Sequence, residues 1–420
     1  MDKYIGQLLN LQFQLLQATN LWRNKQQISP EIEEIRKQTI LINHKRYYEL
    51  IPLYNHWVQS NHENEHANLE TIYNELMLSG EIFKNYHPHW LEQNNFKQLT
   101  QWLRQRFTRN IRLDKINNIE NIQQWRMMLQ QQGIYLNYSS GSQGRLSFIP
   151  RDPMTYKALC TNPKYYSDNT WNVDQQGKIQ PYNCLIAGYK GSALGIQGGG
   201  LGLSKHAIKV HYMFDQILDA DMIQGKTKNI QSNQQKTIQF IQQTIQEKIP
   251  LLIYGTPFFV LHLCKCISSP LLLPTNSLIV TGGGWKTYQN QKLTQIQFKT
   301  LLQQTFPNIQ HIDAYSSVEI NCTFTSCSYN RYHIPPLIQP VVYDEALFVK
   351  QQGYGLIGLL DPFSISYPGF LLTGDQAYLS SESCPCGLHG WTLQGEITRS
   401  KKEEIKGCAG VMQNTFIKNM

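Results

Sequence analysis

The pattern of apolar and polar positions changes character about a third of the way along the chain. Up to residue 132, apolar side chains recur at helical spacing. Ile5, Leu8, Leu9, Leu11, Leu15 and Leu16 fall to one side of a 3.6-residue helix, and Gly6 weakens its start. Ser29-Pro30-Glu31 has the grammar of a helix start: a capping hydroxyl, a proline for the first turn, then an acid facing the dipole. A last helix is predicted over 118–132 from Ile119, Ile122, Trp125 and Met128, with Gly133 as its left-handed cap. After Gly133 the apolar runs shorten. Segments 134–138, 251–254 and 277–280 read as strands, and helical patterns at 236–247 and 292–304 separate later ones. Short apolar strands alternating with helices predict a buried mixed or parallel sheet. From 336 to 393 strands such as 340–343 and 370–373 follow one another closely, which predicts an antiparallel β subdomain.

The expected class is therefore α/β. A helical N-terminal region spans 1–133, an α/β core 134–335, a β subdomain 336–398 and a short tail 399–420. The 420 residues suffice for two or three domains, or for one large domain with extensions. Charged residues make up only 16%, below the usual quarter, and amides such as Gln130–Gln132 fill the gap. An apolar content of 41% argues against disorder. The net charge of +8 suits an anionic ligand. Lys and Arg are scattered, with no basic tract and no aromatic-interleaved stripe, so no nucleic-acid partner is expected. The start lacks the apolar stretch of a secretory signal, and no run reaches the roughly 20 apolar residues of a spanning helix. Nine cysteines, an odd count, point to a reducing, cytoplasmic setting with thiols free, metal-bound or catalytic.

Four segments carry candidate chemistry. Tyr138-Ser139-Ser140-Gly141-Ser142-Gln143-Gly144-Arg145 follows a strand. Glycines let backbone N–H groups turn inward, hydroxyls add donors, and Arg145 adds charge, which together make a phosphate cradle. The Gly-Lys-Ser/Thr ending of a Walker loop is missing. Strand 277–280 runs into Thr281-Gly282-Gly283-Gly284-Trp285-Lys286, where backbone must approach something closely. Tyr315-Ser316-Ser317-Val318-Glu319 offers an aromatic, two hydroxyls and a carboxylate, and Thr373-Gly374-Asp375 places an acid at a strand end, suited to ribose hydroxyls.

In this order, over about 135–408, these segments resemble the adenylate-forming enzyme superfamily, whose members join a carboxylic acid to ATP, release pyrophosphate and hold an acyl-adenylate. The resemblance implies an adenylate-forming large-domain core with a helical N-terminal extension and a truncated C-terminal domain. It implies that Ser139, Ser140, Gly141, Ser142, Gly144 and Arg145 cradle phosphate, and that Gly283 and Gly284 lie at adenine. It implies that Tyr315 stacks on the base, with Ser316 and Ser317 beside it. Glu319 helps hold Mg²⁺, Asp375 meets the ribose, and Arg399 lies near it in the hinge Gly395-Glu396-Ile397-Thr398-Arg399.

Gly282–Lys286 and Lys406-Gly407-Cys408-Ala409 narrow the resemblance to the fatty acyl-protein synthetases of bacterial luminescence systems. There the acyl group passes from AMP to a cysteine near the C-terminus, here Cys408, and on to a reductase. Lys401, Lys402 and Lys406 would favour its thiolate. Ordinary superfamily members carry a larger domain after the hinge with a lysine used in adenylation. In its place Lys286 or Arg145 is the expected cation. The function expected is ATP- and Mg²⁺-dependent activation of a carboxylic acid, a fatty acid favoured, with transfer to Cys408 and handover to an acyl reductase. The alternatives are a coenzyme A or carrier-protein ligase, and a non-catalytic nucleotide-binding scaffold.

Cys384-Pro385-Cys386-Gly387 forms a tight pair on a turn, and Cys327 with His333 would complete a tetrahedral Cys₃His set. Cys322 and His389 are alternate ligands, and free thiols are the competing state. Some phenylacetate–CoA ligase-like enzymes are similar here, which implies a structural Zn²⁺ pinning the loop after Glu319 to the β subdomain. Gly198-Gly199-Gly200-Leu201-Gly202 either lines an acyl channel with Tyr254–Phe259 or forms a surface loop.

Overall fold

The structure, a computed structural model, describes residues 2–116, 118–139, 145–162, 180–190, 200, 202–217, 233–285 and 291–400. Helix α1 (Ile5–Arg23) buries Leu8, Leu11 and Leu15 but leaves Leu9 43% exposed, a narrower stripe than the spacing predicts. Helix α2 (Glu31–Leu50) starts at the expected signal: Ser29 Oγ accepts from Glu31 N at 3.3 Å, and Glu31, Glu33 and Glu34 fill the first turn. Helices α3 (Pro52–Ser60) and α4 (Leu69–Glu75) follow.

The helical reading of the first 132 residues fails at Leu78. Leu78–Ser79 is a strand, β1, and a 3₁₀ turn, Gly80–Phe83, succeeds it with Ser79 Oγ capping Glu81 N. Helices resume as α5 (Pro88–Glu92), α6 (Phe96–Arg104) and α7 (Ile122–Gln131). The last begins four residues later than predicted. Asn118 sits at φ 55°, outside the helical region, and Asn121 is the cap that accepts from Gln124 N. Trp125 of α7 is fully buried and donates to Thr100 Oγ1 of α6 at 2.8 Å.

Strands β2 (Tyr135–Ser139) and β3 (Ser147–Arg151) pair antiparallel, and α8 (Pro153–Thr161) starts on an Asp152 cap. A parallel block comes next: β4 (Asn183–Lys190), β5 (Val210–Ile217), α9 (Gln234–Gln246), β6 (Leu251–Gly255), α10 (Pro257–Lys265), β7 (Leu278–Gly282), α11 (Gln295–Thr305) and β8 (Gln310–Tyr315). Its strand order is β5-β4-β6-β7-β8. The inner strands β6 and β7 are buried along their whole length, as parallel strands covered by helices on both faces are. Helix α11 begins three residues beyond the predicted start, because Thr294 and Gln297 close a capping box there.

After β8 the direction alternates through β9 (Phe324–Ser326), β10 (Tyr332–His333), β11 (Gln339–Tyr343), β12 (Val349–Lys350), β13 (Gly353–Leu360), β14 (Phe370–Ser380) and β15 (Thr392–Arg399). All join one sheet in the order β12-β11-β13-β14-β15-β10-β9-β8, continuous with the parallel block. Strand β14 runs seven residues past the predicted 370–373, with a register shift between Gln376 and Tyr378. Strand β1 pairs parallel with it, Leu78 to Leu371 and Ser79 to Leu372. The N-terminal helices pack on this region, where Tyr47 and Phe370 meet edge to face at 5.2 Å. Among the described residues no helix is long and apolar enough to cross a membrane.

Candidate active site

The C-terminal ends of β7 and β8 open into a cleft of about 1670 Å³, the position where open α/β sheets place ligands. Its floor is the Gly turn after β7. Gly283 (φ 78°) and Gly284 (φ 62°) are both left-handed, so glycine is needed at each. One wall is β8 and the loop to Ile320. The opposite wall is Thr373–Asp375 of β14 with Arg399 of β15. Ser139 and Ser147, which flank the Ser/Gly loop, line the end, and Ser79, Gly80, Glu81 and Lys84 of the N-terminal region close the side.

Asp375 organises the far wall. Its Oδ2 accepts from Tyr315 Oη at 2.8 Å, and its Oδ1 accepts from Arg399 Nη1 at 2.8 Å. The same Arg399 nitrogen also donates to Thr373 O at 3.2 Å. Burial is the largest single influence and works against the Arg399 charge, but Asp375, with Glu319 and Tyr315, raises the guanidinium pKa on balance. Burial holds the Tyr315 phenol well above its ordinary value, hence protonated and a donor.

Glu319 accepts a short hydrogen bond from Ser317 Oγ. Its loop is held from behind by a buried polar network. Tyr367 Oη donates to Glu319 O at 2.8 Å, and Arg151, fully buried, donates to Val318 O. Arg151 also donates to Asn137 Oδ1 of β2 and to Asn321 Oδ1, each at 3.0 Å. Asn321 in turn donates through Nδ2 to Asp361 Oδ2 at 3.0 Å. One guanidinium therefore ties the acid-bearing loop to the strand that carries Ser139.

Beneath the cleft, His311 Nε2 lies 2.8 Å from Thr281 Oγ1, which donates to Asp313 Oδ1 at 3.0 Å. Having spent its proton on Asp313, Thr281 accepts from a neutral, Nε2-protonated His311. Tyr332 Oη donates to the other Asp313 oxygen at 2.6 Å. Burial raises the Asp313 carboxyl and lowers His311 to about 4.

A second cluster includes Cys327, which also lines the cleft. Cys327, His333, Cys384 and Cys386 each offer one ligand atom, all within 4.8 Å of one another. Cys327 Sγ is 3.7 Å from Cys384 Sγ, and Cys386 Sγ is 3.2 Å from His333 Nε2. Zn–S bonds of about 2.3 Å in a tetrahedron require S···S edges of about 3.8 Å, so the donor set fits zinc. Burial holds His333 down at about 4, the neutral form that ligates, and pushes Cys386 up to about 12. Burial raises the Cys327 thiol as well as that of Cys386, and a cation between them would favour their thiolates. The alternates stay out of this group. Cys322 Sγ approaches Thr323 O, and His389 O accepts from Trp22 Nε1. Helix α1 ends on the cluster: Lys25 Nζ donates to Cys386 O at 2.6 Å, and the Trp22 ring lies 6.4 Å from that of His333.

A family model described as "Acyl-protein synthetase, LuxE" matches residues 207–417, half of the chain. The chain belongs to this family. Two curated relatives, from Aliivibrio fischeri and Vibrio harveyi, both carry the name long-chain-fatty-acid–luciferin-component ligase. The first is 31% identical over 200 residues, which is 44% of this chain and 51% of that protein. The second is 31% identical over 176 residues, 40% of this chain and 45% of that protein. The chain spans about half the length of the curated relatives it matches. Among solved structures it is similar to a 2-hydroxyisobutyryl-CoA ligase in complex with 2-HIB-AMP and CoA. The TM-score is 0.54 at 14% identity, over 88% of this chain and 70% of that one. The fold is that of the adenylate-forming ligases.

The cleft gathers Ser139, Gly283, Gly284, Tyr315, Ser316, Ser317, Glu319, Asp375 and Arg399. Arg145 is not part of its lining. Its Nη1 points to Lys84 O at 3.4 Å and its guanidinium lies over the Tyr86 ring. Ser140, Gly141, Ser142, Gly144, Lys286 and Cys408 lie outside the described residues. So do Gly198, Gly199 and Leu201. Gly202 is pressed so closely on Cys160 O that a Cβ there would stand 1.9 Å from it, which is tight packing at that end of the Gly run. Sequence reasoning missed Lys84, Arg151 and Asp361. Lys84 falls in a stretch read as helix, and the other two are single polar residues that only the fold brings together.

Proposed function

We propose that the chain activates a carboxylic acid with ATP and passes the acyl group to a thiol. The observation that carries this reading is the convergence of the Gly283–Gly284 turn, the Tyr315–Asp375–Arg399 chain and Glu319 on one cleft. Each group has a part to play there. The glycine turn lets a flat base lie on bare backbone, and Asp375 fixes the Tyr315 ring that would stack on it. Asp375 and Arg399 offer an acceptor and donors to ribose hydroxyls. Glu319 would hold Mg²⁺, which supplies charge neutralisation on the phosphates when bound. Ser139 and the loop after it would cradle the phosphates.

The relatives' name, long-chain-fatty-acid–luciferin-component ligase, supports a long-chain fatty acid as the substrate. We assign Cys408 as the acceptor thiol, from which the acyl group passes to an acyl reductase in a reducing, cytoplasmic setting. The acyl-adenylate is a mixed anhydride. Attack by the Cys408 thiolate at its carbonyl carbon forms the thioester and expels AMP. Zn²⁺ held by Cys327, His333, Cys384 and Cys386 serves structure, since four protein ligands leave no open position.

Incubation with ATP, Mg²⁺ and radiolabelled tetradecanoic acid tests the reading. A hydroxylamine-labile label on the protein is expected, and its loss in Cys408→Ser assigns the thiol. Pyrophosphate release without protein label would move the acceptor to coenzyme A or a carrier protein. The absence of both would sink the activation reading.

A further inference from the structure

The side of the cleft contributed by the N-terminal region carries a cation. Strand β1 ends at Ser79, and the turn Gly80–Phe83 lies against β3, which leaves the Ser/Gly loop, and against β14. Gly80 is beside the Glu319 carboxylate, since a Cβ built on it would stand 3.9 Å from Oε1. Lys84 closes this turn and lines the cleft with its side chain only 14% exposed. Its carbonyl is held by Arg145, the first described residue after the Ser/Gly loop. Lys84 thus sits between the strand pair β2–β3 and the Glu319 loop.

Among the described residues, the other cations lining the cleft are more exposed or turned to other groups: Arg399 is bound to Asp375, Lys292 pairs with Glu396 at 2.6 Å on a side chain 43% exposed, Lys299 donates to Asn330 and Arg331 donates to Ser383 O. The partner of Lys84 is Glu81, at 2.6 Å, on a side chain 46% exposed and one turn away. That carboxylate is half in water, so it can turn away when a more highly charged anion reaches Lys84.

We propose that Lys84 is a catalytic residue that meets the α-phosphate while the acid is activated. The assignment rests on the reading given under Proposed function. An ionised carboxylate oxygen bonds to the α-phosphorus. The bond from that phosphorus to the bridging oxygen breaks, and its electron pair departs with pyrophosphate. No proton moves. Negative charge grows on the non-bridging α-oxygens, and the Lys84 ammonium, released from Glu81, balances it in a partly desolvated place.

The test separates two half-reactions of the full-length chain. Acid-dependent exchange between ATP and pyrophosphate, with tetradecanoic acid and Mg²⁺, reports activation. Transfer from chemically made tetradecanoyl-adenylate to the protein or an added thiol reports the later step. Lys84→Ala is expected to lose about 10²–10³-fold in kcat for exchange, the scale of removing one transition-state donor, with a KM for ATP within a few fold. Lys84→Arg should recover part of it, and both variants should transfer from the preformed adenylate at the wild-type rate. Exchange by Lys84→Ala at the wild-type rate overturns the assignment. So does equal loss in both half-reactions, which would make Lys84 structural. A wild type that transfers from the adenylate but shows no exchange overturns the activation reading itself, and the role of Lys84 with it.

Discussion

Tyr315 donates its phenolic proton to Asp375 across the cleft at 2.8 Å, joining the end of β8 to the middle of β14. The aromatic ring and the carboxylate are therefore one preorganised unit, and Arg399 completes it from the other carboxylate oxygen. Asp375→Ala frees both partners at once. It should lower kcat/KM for ATP by about 10–100-fold, the scale of one or two charge-assisted hydrogen bonds. Tyr315→Phe, which removes a single hydroxyl, should cost less. ATP–pyrophosphate exchange measures both, and an Asp375→Ala enzyme with unchanged KM for ATP would contradict the nucleotide assignment.

Arg151 is the central tie behind the cleft. Its guanidinium reaches β2, the Glu319 loop and, through Asn321, the buried Asp361, whose carboxyl burial pushes upward. Arg151→Met leaves Val318 O, Asn137 Oδ1 and Asn321 Oδ1 without their buried donor. A loss of about 2–4 kcal/mol in urea unfolding is expected, since each buried acceptor left unpaired costs about 1–3 kcal/mol before the site relaxes. Arg151→Lys keeps the charge but cannot reproduce the fork, and should fall between. A loss below about 1 kcal/mol for Arg151→Met would show that the network does not hold the loop.

Metal analysis of purified protein should find one zinc per chain. Cys386→Ser should lose it. The consequence should reach helix α1, because Lys25 and Trp22 rest on the backbone of the same knuckle at Cys386 and His389. Hydrogen exchange should rise around residues 20–26 on chelation or in Cys386→Ser. Zinc-free protein with all three thiols of the cluster titratable and unchanged exchange there would end the proposal.

His311 makes stability fall in mild acid. Its folded value of about 4 lies below the ordinary 6.5 because burial penalises the charged ring. The contribution is fully present above pH 6.5, where the imidazole is neutral in both states. It fades toward pH 4, where only the unfolded chain takes the proton, by up to about 3 kcal/mol. Asp313, raised by burial, works in the opposite sense but remains in both proteins compared. His311→Gln should therefore show a flatter fall in Tm between pH 7 and pH 5 than wild type. Parallel curves would refute the burial argument.

Much of this was legible in the chain itself. The Gly turn after β7, the Tyr315–Glu319 segment and Asp375 announce themselves through residue type at strand ends. Cys384-Pro385-Cys386 does so through spacing. What stayed hidden depends on distant partners. Two residues, Leu78 and Ser79, have no periodicity to read, so β1 vanished into a helical pattern. Strand β14 looked shorter than it is because Thr373, Asp375 and Gln376 are polar, two of them where it lines the cleft. The start of α7 was misplaced because Asn118 takes a left-handed conformation that apolar spacing does not register. Arg151 and Asp361 look like ordinary surface residues until the fold buries them.

The pairing of Leu78 with Leu371 bears on how the molecule comes to be. A chain emerging from the ribosome makes the turn that carries Lys84 long before it makes the strand that turn must lean on. Loop closure over so long a separation is entropically costly and late. The cleft is thus among the last features to assemble. A nascent chain stalled before β14 would hold the helices and the parallel block, yet lack the wall that Thr373 and Asp375 give the cleft.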